Sequence, residues 1–155
     1  MSVLHAFYNA FAQRDARVMG VLYHHEARFS DPVFPDLDAE HVRAMWRMLL
    51  ERSSDLCISF TVLQEDERKG HVRWEAFYTF SGTGRKVHNV IDSRFTFRDG
   101  LILTQRDSFS FWRWSRQALG LKGLLLGWTP VVRDRVRGTA AAALLKHLAA
   151  ERPKV

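Results

Sequence analysis

The chain has 155 residues, 46% of them hydrophobic, 26% charged and 12% aromatic, which excludes a disordered chain and fits one domain with a sizeable core. Its single cysteine, Cys57, excludes an internal disulfide and suits a reducing compartment, so a cytoplasmic location is expected. The net charge of +6 is unevenly placed: nine Lys/Arg lie from Arg113 onward against only Asp134 and Glu151.

No apolar run reaches the ~20 residues of a membrane span. The opening MSVLHAFYNAFAQRD lacks the basic-then-apolar order of a signal peptide. The basic tail, residues 113–155, reads either as the solvated face of terminal helices or as a weak contact for anionic lipid. No nucleic-acid partner is expected.

In chain order, Val3 to Ala12 is predicted as an amphipathic helix with Leu4, Phe7 and Phe11 on one stripe, beside Tyr8, and with Ser2 as N-cap. Asp15 caps a second helix with Val18, Val21 and Leu22 as apolar positions. A brief strand, Ala27 to Ser30, leads into Asp31-Pro32-Val33-Phe34-Pro35, where each proline disfavours helix before it. Asp38 caps a third helix whose stripe is Val42, Met45, Trp46 and Leu49.

From Leu56 the period changes to two. Leu56 to Leu63 and His71 to Phe80 read as strands, the second with Val72, Trp74, Ala76, Tyr78 and Phe80 on one side. Lys86 to Trp112 then reads as two long arms joined at Arg98-Asp99-Gly100, an Asp-Gly turn signal. Asp92 and Asp107 stand in the middle of these arms. A carboxylate there is costly unless it is paired, protonated or facing a cavity. A short helix from Trp112 to Gly120, an apolar glycine-rich loop from Leu121 to Trp128, and a last helix started by Thr129-Pro130 complete the chain.

Helices followed by antiparallel strands, with no βαβ pattern, give an α+β class: a cone-shaped curved antiparallel sheet with N-terminal helices enclosing a pocket, plus a C-terminal helical extension. Residues 1–112 form the α+β domain, and residues 113–155 a basic extension packed on it.

The helix order, the ARFSDPVF segment and the four-stranded meander resemble the nuclear-transport-factor-2-like superfamily, which includes ketosteroid isomerase and the SnoaL-like polyketide cyclases. The resemblance implies that Asp31, in Asp31-Pro32-Val33, is a general base, and that Asp92, in Ile91-Asp92, is a neutral hydrogen-bond donor. The isomerase's first-helix tyrosine falls on Phe7 here, with Tyr8 one residue off, and Arg94 replaces an apolar residue. Arg106-Asp107-Ser108-Phe109 also resembles the last strand of limonene epoxide hydrolase; Arg73-x-Glu75 is the nearest match to that enzyme's second motif.

These readings stand beside plainer ones. Asp31 is a pocket acid or a turn residue before proline. Asp92 is a pocket acid or the partner of Arg94 or Arg73. Asp107 is an accessory acid or pairs with Arg106, and His88 is an accessory base or a satisfied polar residue. Phe7, Tyr8, Trp46, Trp74, Tyr78, Phe80, Arg94 and Phe109 are the expected ligand contacts, and the aromatics among them are core residues by default. His24-His25 lack carboxylates at ligand spacing, so no metal or other cofactor is expected. The function expected is an isomerase, cyclase or hydrolase acting through carboxylates on a small apolar molecule. The alternative is a non-catalytic binding or dimerisation module. A homodimer is expected through the convex sheet face, where Ile91, Phe95 and Phe97 would leave an apolar patch.

Overall fold

Side-chain caps start the helices. Ser2 Oγ accepts from the His5 amide at 3.1 Å, Asp15 Oδ1 from Val18 at 3.0 Å, Asp38 Oδ1 from His41 at 2.9 Å and Ser110 Oγ from Arg113 at 3.2 Å. The computed structural model describes residues 2–153; Lys154, counted in the basic tail, lies outside them. The elements are α1 (Val3–Ala12), α2 (Ala16–Val21), β1 (Tyr23–Ser30), β2 (Leu37–Asp38), α3 (Ala39–Arg52), β3 (Cys57–Glu65), β4 (Lys69–Phe80), β5 (Arg85–Arg98), β6 (Leu101–Ser108), α4 (Phe111–Leu119), α5 (Leu121–Leu126) and α6 (Pro130–Glu151).

The strands form one curved, open sheet in the order β2-β1-β6-β5-β4-β3. The α+β class is as expected. The sheet is mixed, because β1 runs parallel to β6 while the other neighbours are antiparallel. β1 reaches β6 only after the whole meander has been made, so no hairpin forces the two to run in opposite directions. The strand is also longer than its apolar residues suggest, since the polar Tyr23 to Glu26 stretch holds a register shift.

The core lies between one sheet face and helices α1 and α3. Leu4, Phe7, Tyr8 and Val42 are fully buried against Val72, Trp74, Ile91, Phe95 and Ile102. Each such side chain contributes about 1.5–3 kcal/mol on burial. The register aligns Val72 with Ser93, Trp74 with Ile91 and Ala76 with Asn89, so the inner face of β5 carries Asn89, Ile91, Ser93 and Phe95. This corrects one expectation. Ile91 and Phe95 are buried in the core and Phe97 packs against it, so they leave no apolar patch on the convex face.

The extension joins the domain's own packing. Phe111, Trp114 and Ala118 of α4 form a second apolar cluster with Val87. On α6, Leu144 enters the main core, Arg47 Nε meets Glu151 Oε2 at 2.8 Å, and Arg137 Nε donates to the Pro32 carbonyl at 2.8 Å. The segment expected as a glycine-rich loop contains the helix α5. Gly123 and Gly127 let it lie directly on α4: a Cβ at either would collide with Ser115, at its carbonyl oxygen or its hydroxyl respectively.

Candidate functional site

A cavity of about 1040 Å³ opens between α3, the inner sheet face and the C-terminal extension. Of the aromatic residues expected at a ligand, Trp46, Trp74, Tyr78, Phe80 and Phe109 line it. The extension contributes Trp114, Val132, Val136, Ala140 and Ala143, a wall that the sequence reading did not assign to the pocket. Two carboxylates reach this largely apolar space, Asp31 and Asp107; the cations on its lining are Arg52, Lys122 and Arg135, all exposed.

Asp31 is both things the sequence allowed. Its Oδ1 accepts from the Val33 amide at 2.7 Å and the Phe34 amide at 2.5 Å, and its own amide donates to the Phe34 carbonyl at 2.8 Å. The turn that Pro32 and Pro35 enforce thus fastens one oxygen of a residue that lines the cavity, and Oδ2 makes no hydrogen bond among the described residues. Burial pushes the Asp31 carboxyl up to about 6, against the opposing pull of the two amides and the Arg137 charge.

Asp107 stands at the end of two polarised chains. Tryptophan Nε1 can only donate. Trp74 Nε1 donates to Ser93 Oγ at 2.8 Å, so Ser93 passes its own proton to Asp107 Oδ1 at 2.5 Å. Trp46 Nε1 donates to the Tyr23 hydroxyl at 2.9 Å, Tyr23 donates to Gln105 Oε1, and Gln105 Nε2 donates to the same Asp107 Oδ1 at 3.1 Å. Oδ2 carries no hydrogen bond and is not sealed away from the cavity. Asp107 is only 5% exposed, and burial pushes it up to about 7; Ser93 and Gln105 pull the other way, and the Asp31 charge adds to the rise.

Two further polar groups face the same space. The Tyr78 hydroxyl accepts from Trp114 Nε1 at 2.7 Å, which leaves its proton free to be donated; burial raises its pKa, and the Asp31 charge adds to that. Asn89 lines the cavity, and its side-chain amide has no partner among the described residues. Neither Gln105, Ser93 nor Asn89 was singled out from the sequence. The signal available was parity: Gln105 shares a face with Asp107 two residues on, and Asn89 and Ser93 share one with Ile91.

The remaining candidates lie elsewhere. Asp92 is on the outer sheet face, 44% exposed, with Oδ2 at 2.6 Å from His71 Nε2 and Oδ1 at 3.4 Å from Arg94 Nε. It pairs across the sheet with Ser108, and its neighbour Ser93, opposite Asp107, takes the inner face. His88 is also outside, stacked on Phe77 at 4.2 Å and 3.2 Å from Glu75 Oε1. Asp92, His88 and Arg94 therefore do not reach the pocket, because residues of one parity on a strand share one face. Phe7 and Tyr8 are fully buried in the core and do not line the cavity; the Tyr8 hydroxyl makes no hydrogen bond. Arg73 and Arg106 are exposed on the outer face and Glu75 lies there beside His88, so of the two arginine–acid pairs behind the epoxide-hydrolase resemblance only Asp107 faces the cavity.

His24, His25 and Glu26 bring ligand-type atoms within 4.8 Å of one another on β1, which corrects the expectation that the two histidines lack a carboxylate at ligand spacing. These three are outside the cavity lining, and His24 Nδ1 already accepts from the Glu26 amide at 3.1 Å. No helix among the described residues is long and apolar enough to cross a membrane.

The fold matches known structures. A protein of ketosteroid isomerase-like fold from Catenulispora acidiphila, in complex with trimethylamine, superposes with a TM-score of 0.66 at 13% identity, covering 83% of this chain and 97% of that one. A putative polyketide cyclase, IdmH from Streptomyces antibioticus, gives 0.63 at 19% identity, covering 77% and 96%. A limonene epoxide hydrolase-like epoxide hydrolase from M. tuberculosis gives 0.58 at 17% identity, covering 85% and 93%. No curated protein matches the sequence. The family model for the SnoaL-like domain matches residues 4–105, and the chain belongs to that family.

Proposed function

We propose that the protein is an acid–base enzyme that abstracts a proton beside a carbonyl of an apolar, fused-ring molecule, as in an isomerisation or an aldol-type cyclisation. The observation that carries this reading is that two buried carboxylates, Asp31 and Asp107, line one largely apolar cavity, where burial pushes the first up to about 6 and the second up to about 7. Asp31, the less raised of the two, is the base. Asp107, the acid that burial raises further, presents Oδ2–H to the carbonyl oxygen, because its Oδ1 is occupied by Ser93 and Gln105. Asp107 thus takes the role that the resemblance gave to Asp92. Tyr78, whose proton is free, supplies a second donor to the developing oxyanion in place of the tyrosine that Phe7 lacks.

The size and apolar lining of the cavity suit a molecule of three or four fused rings. The names of the structural neighbours, polyketide cyclase and isomerase among them, are compatible with this class of substrate.

The test needs no knowledge of the product. Cyclic ketones such as 2-tetralone and larger fused-ring ketones are incubated in D₂O, and exchange of the protons next to the carbonyl is followed by NMR. The protein is expected to accelerate exchange, and Asp31→Asn to lower the rate about 100-fold or more, the usual contribution of a positioned base, while ligand binding persists. Ketones that bind without any accelerated exchange would instead identify a binding module.

A further inference from the structure

The helix α5 is inside out. It rests on α4 at Gly123 and Gly127, which leave no room for a side chain against Ser115, while its leucines stay largely exposed. Leu121, Leu124, Leu125, Leu126, Trp128 and Val131 are 43–75% exposed, and Trp112 beside them is 37% exposed. Seven of the eleven large hydrophobic residues exposed among the described residues thus fall within 20 consecutive positions, 112–131. A soluble surface scatters such residues singly; a contiguous set marks a docking face.

Along this segment of the chain the charge has one sign. Between Asp107 and Asp134 the chain holds no acidic residue and carries Arg113, Arg116, Lys122 and Arg133. Arg116 lies over the Trp112 ring at 4.8 Å and Arg133 over Phe111 at 5.5 Å, so the cations are mixed with the aromatic residues. A second copy of the chain, meeting this face with the same face, would set these cations against one another. An anionic surface would neutralise them. Exposed tryptophan, leucine and basic side chains together are the composition of a segment lying in a membrane interface.

The same segment forms part of the cavity. Leu121, Lys122, Leu126 and Val131 line it, and so do Arg135 and Thr139 of α6. We propose that α5 and its flanking tryptophans are a docking surface for an anionic lipid bilayer, so that the cavity opens onto the membrane interface. An apolar ligand then passes from bilayer to cavity without crossing water. This docking stands independently of the proton chemistry assigned to Asp31 and Asp107.

The experiment is co-sedimentation of the full chain with vesicles of phosphatidylcholine alone or with 30% phosphatidylglycerol, at low and high salt. The wild type is expected to bind the anionic vesicles at least about tenfold more tightly than the neutral ones, and to lose most of that binding as salt screens the charges. The double variant Leu125→Glu, Trp128→Glu, neither residue lining the cavity, is expected to lose binding at unchanged circular dichroism. Failure of the wild type to bind anionic vesicles at low salt overturns the proposal, as does undiminished binding by the double variant. A dimer in sedimentation that the double variant abolishes, without vesicle binding, assigns the face to a second copy and overturns it equally.

Discussion

Ser93 on β5 stands directly opposite Asp107 on β6, and its hydroxyl donates to Asp107 Oδ1 at 2.5 Å. Because Ser93 itself accepts from Trp74, the direction of this bond is set by the indole behind it. The sheet register thereby decides which oxygen of Asp107 is committed and which one meets a ligand.

Ser93→Ala removes one donor to Asp107 and strands the buried Trp74 Nε1. The expected cost is about 1–3 kcal/mol in urea unfolding, the usual penalty of an unsatisfied buried group. Since the Ser93 hydrogen bond lowers the Asp107 pKa, its loss should also raise the pH at which that acid titrates.

Asp107→Asn should gain on wild type as pH rises from about 4 to 8. The folded acid keeps its proton up to about 7, whereas in the unfolded chain it loses the proton near the ordinary value of 3.8. The group therefore contributes stability that is full below pH 4, declines steadily as pH rises, and is gone above about 7. An amide at this position has no proton to lose and can still accept from Ser93 and Gln105. Thermal melts should show the variant gaining on wild type by roughly 1.4 kcal/mol per pH unit between pH 4 and pH 7, on the order of 3–4 kcal/mol between pH 4 and pH 8.

Asp92→Asn should change stability by less than about 1 kcal/mol and leave any ketone exchange intact. The residue is 44% exposed and its partners, His71 and Arg94, are on the outer face, where ion pairs are screened and weak. A loss of exchange in this variant, measured beside Asp31→Asn, would put the acid pair in the wrong place.

Much of this arrangement is legible in the chain, and the exceptions have physical reasons. Ser2, Asp15, Asp38 and their helices follow from local hydrogen bonding, and the inner face of β4 follows from the alternation of Val72, Trp74 and Ala76. On β5 that same alternation places Ile91 and Phe95 inside and the charged Lys86, His88, Asp92, Arg94 and Arg98 outside. The Ile91-Asp92 dipeptide resembled the isomerase's, and that resemblance set Asp92 against the strand's own pattern. Gln105 carries no sequence signature of its own, because its role exists only once Tyr23, 82 residues earlier, lies within reach. α5 was hidden for another reason: Gly123 and Gly127 read as loop residues, but their use is close contact between helices.

Gly123→Ala tests that last relationship. The added methyl would meet the Ser115 carbonyl, so α5 must lift from α4. The expected result is faster proteolysis within residues 119–129 and a loss of stability of about 1–3 kcal/mol, typical of overpacking at a close contact. Unchanged proteolysis would mean that α5 does not rest on α4.

The central claim is that Asp31 and Asp107 are poised near neutrality in one cavity. Carbon-13 labelling of the aspartate side-chain carboxyls, followed by NMR from pH 3 to pH 9, reads this directly. Two resonances are expected to titrate near 6 and 7, one vanishing in Asp31→Asn and the other in Asp107→Asn, while Asp38, Asp55 and Asp66 titrate below their ordinary value of 3.8. A spectrum in which every aspartate titrates below about 5, within the usual spread for exposed carboxylates, would contradict the account.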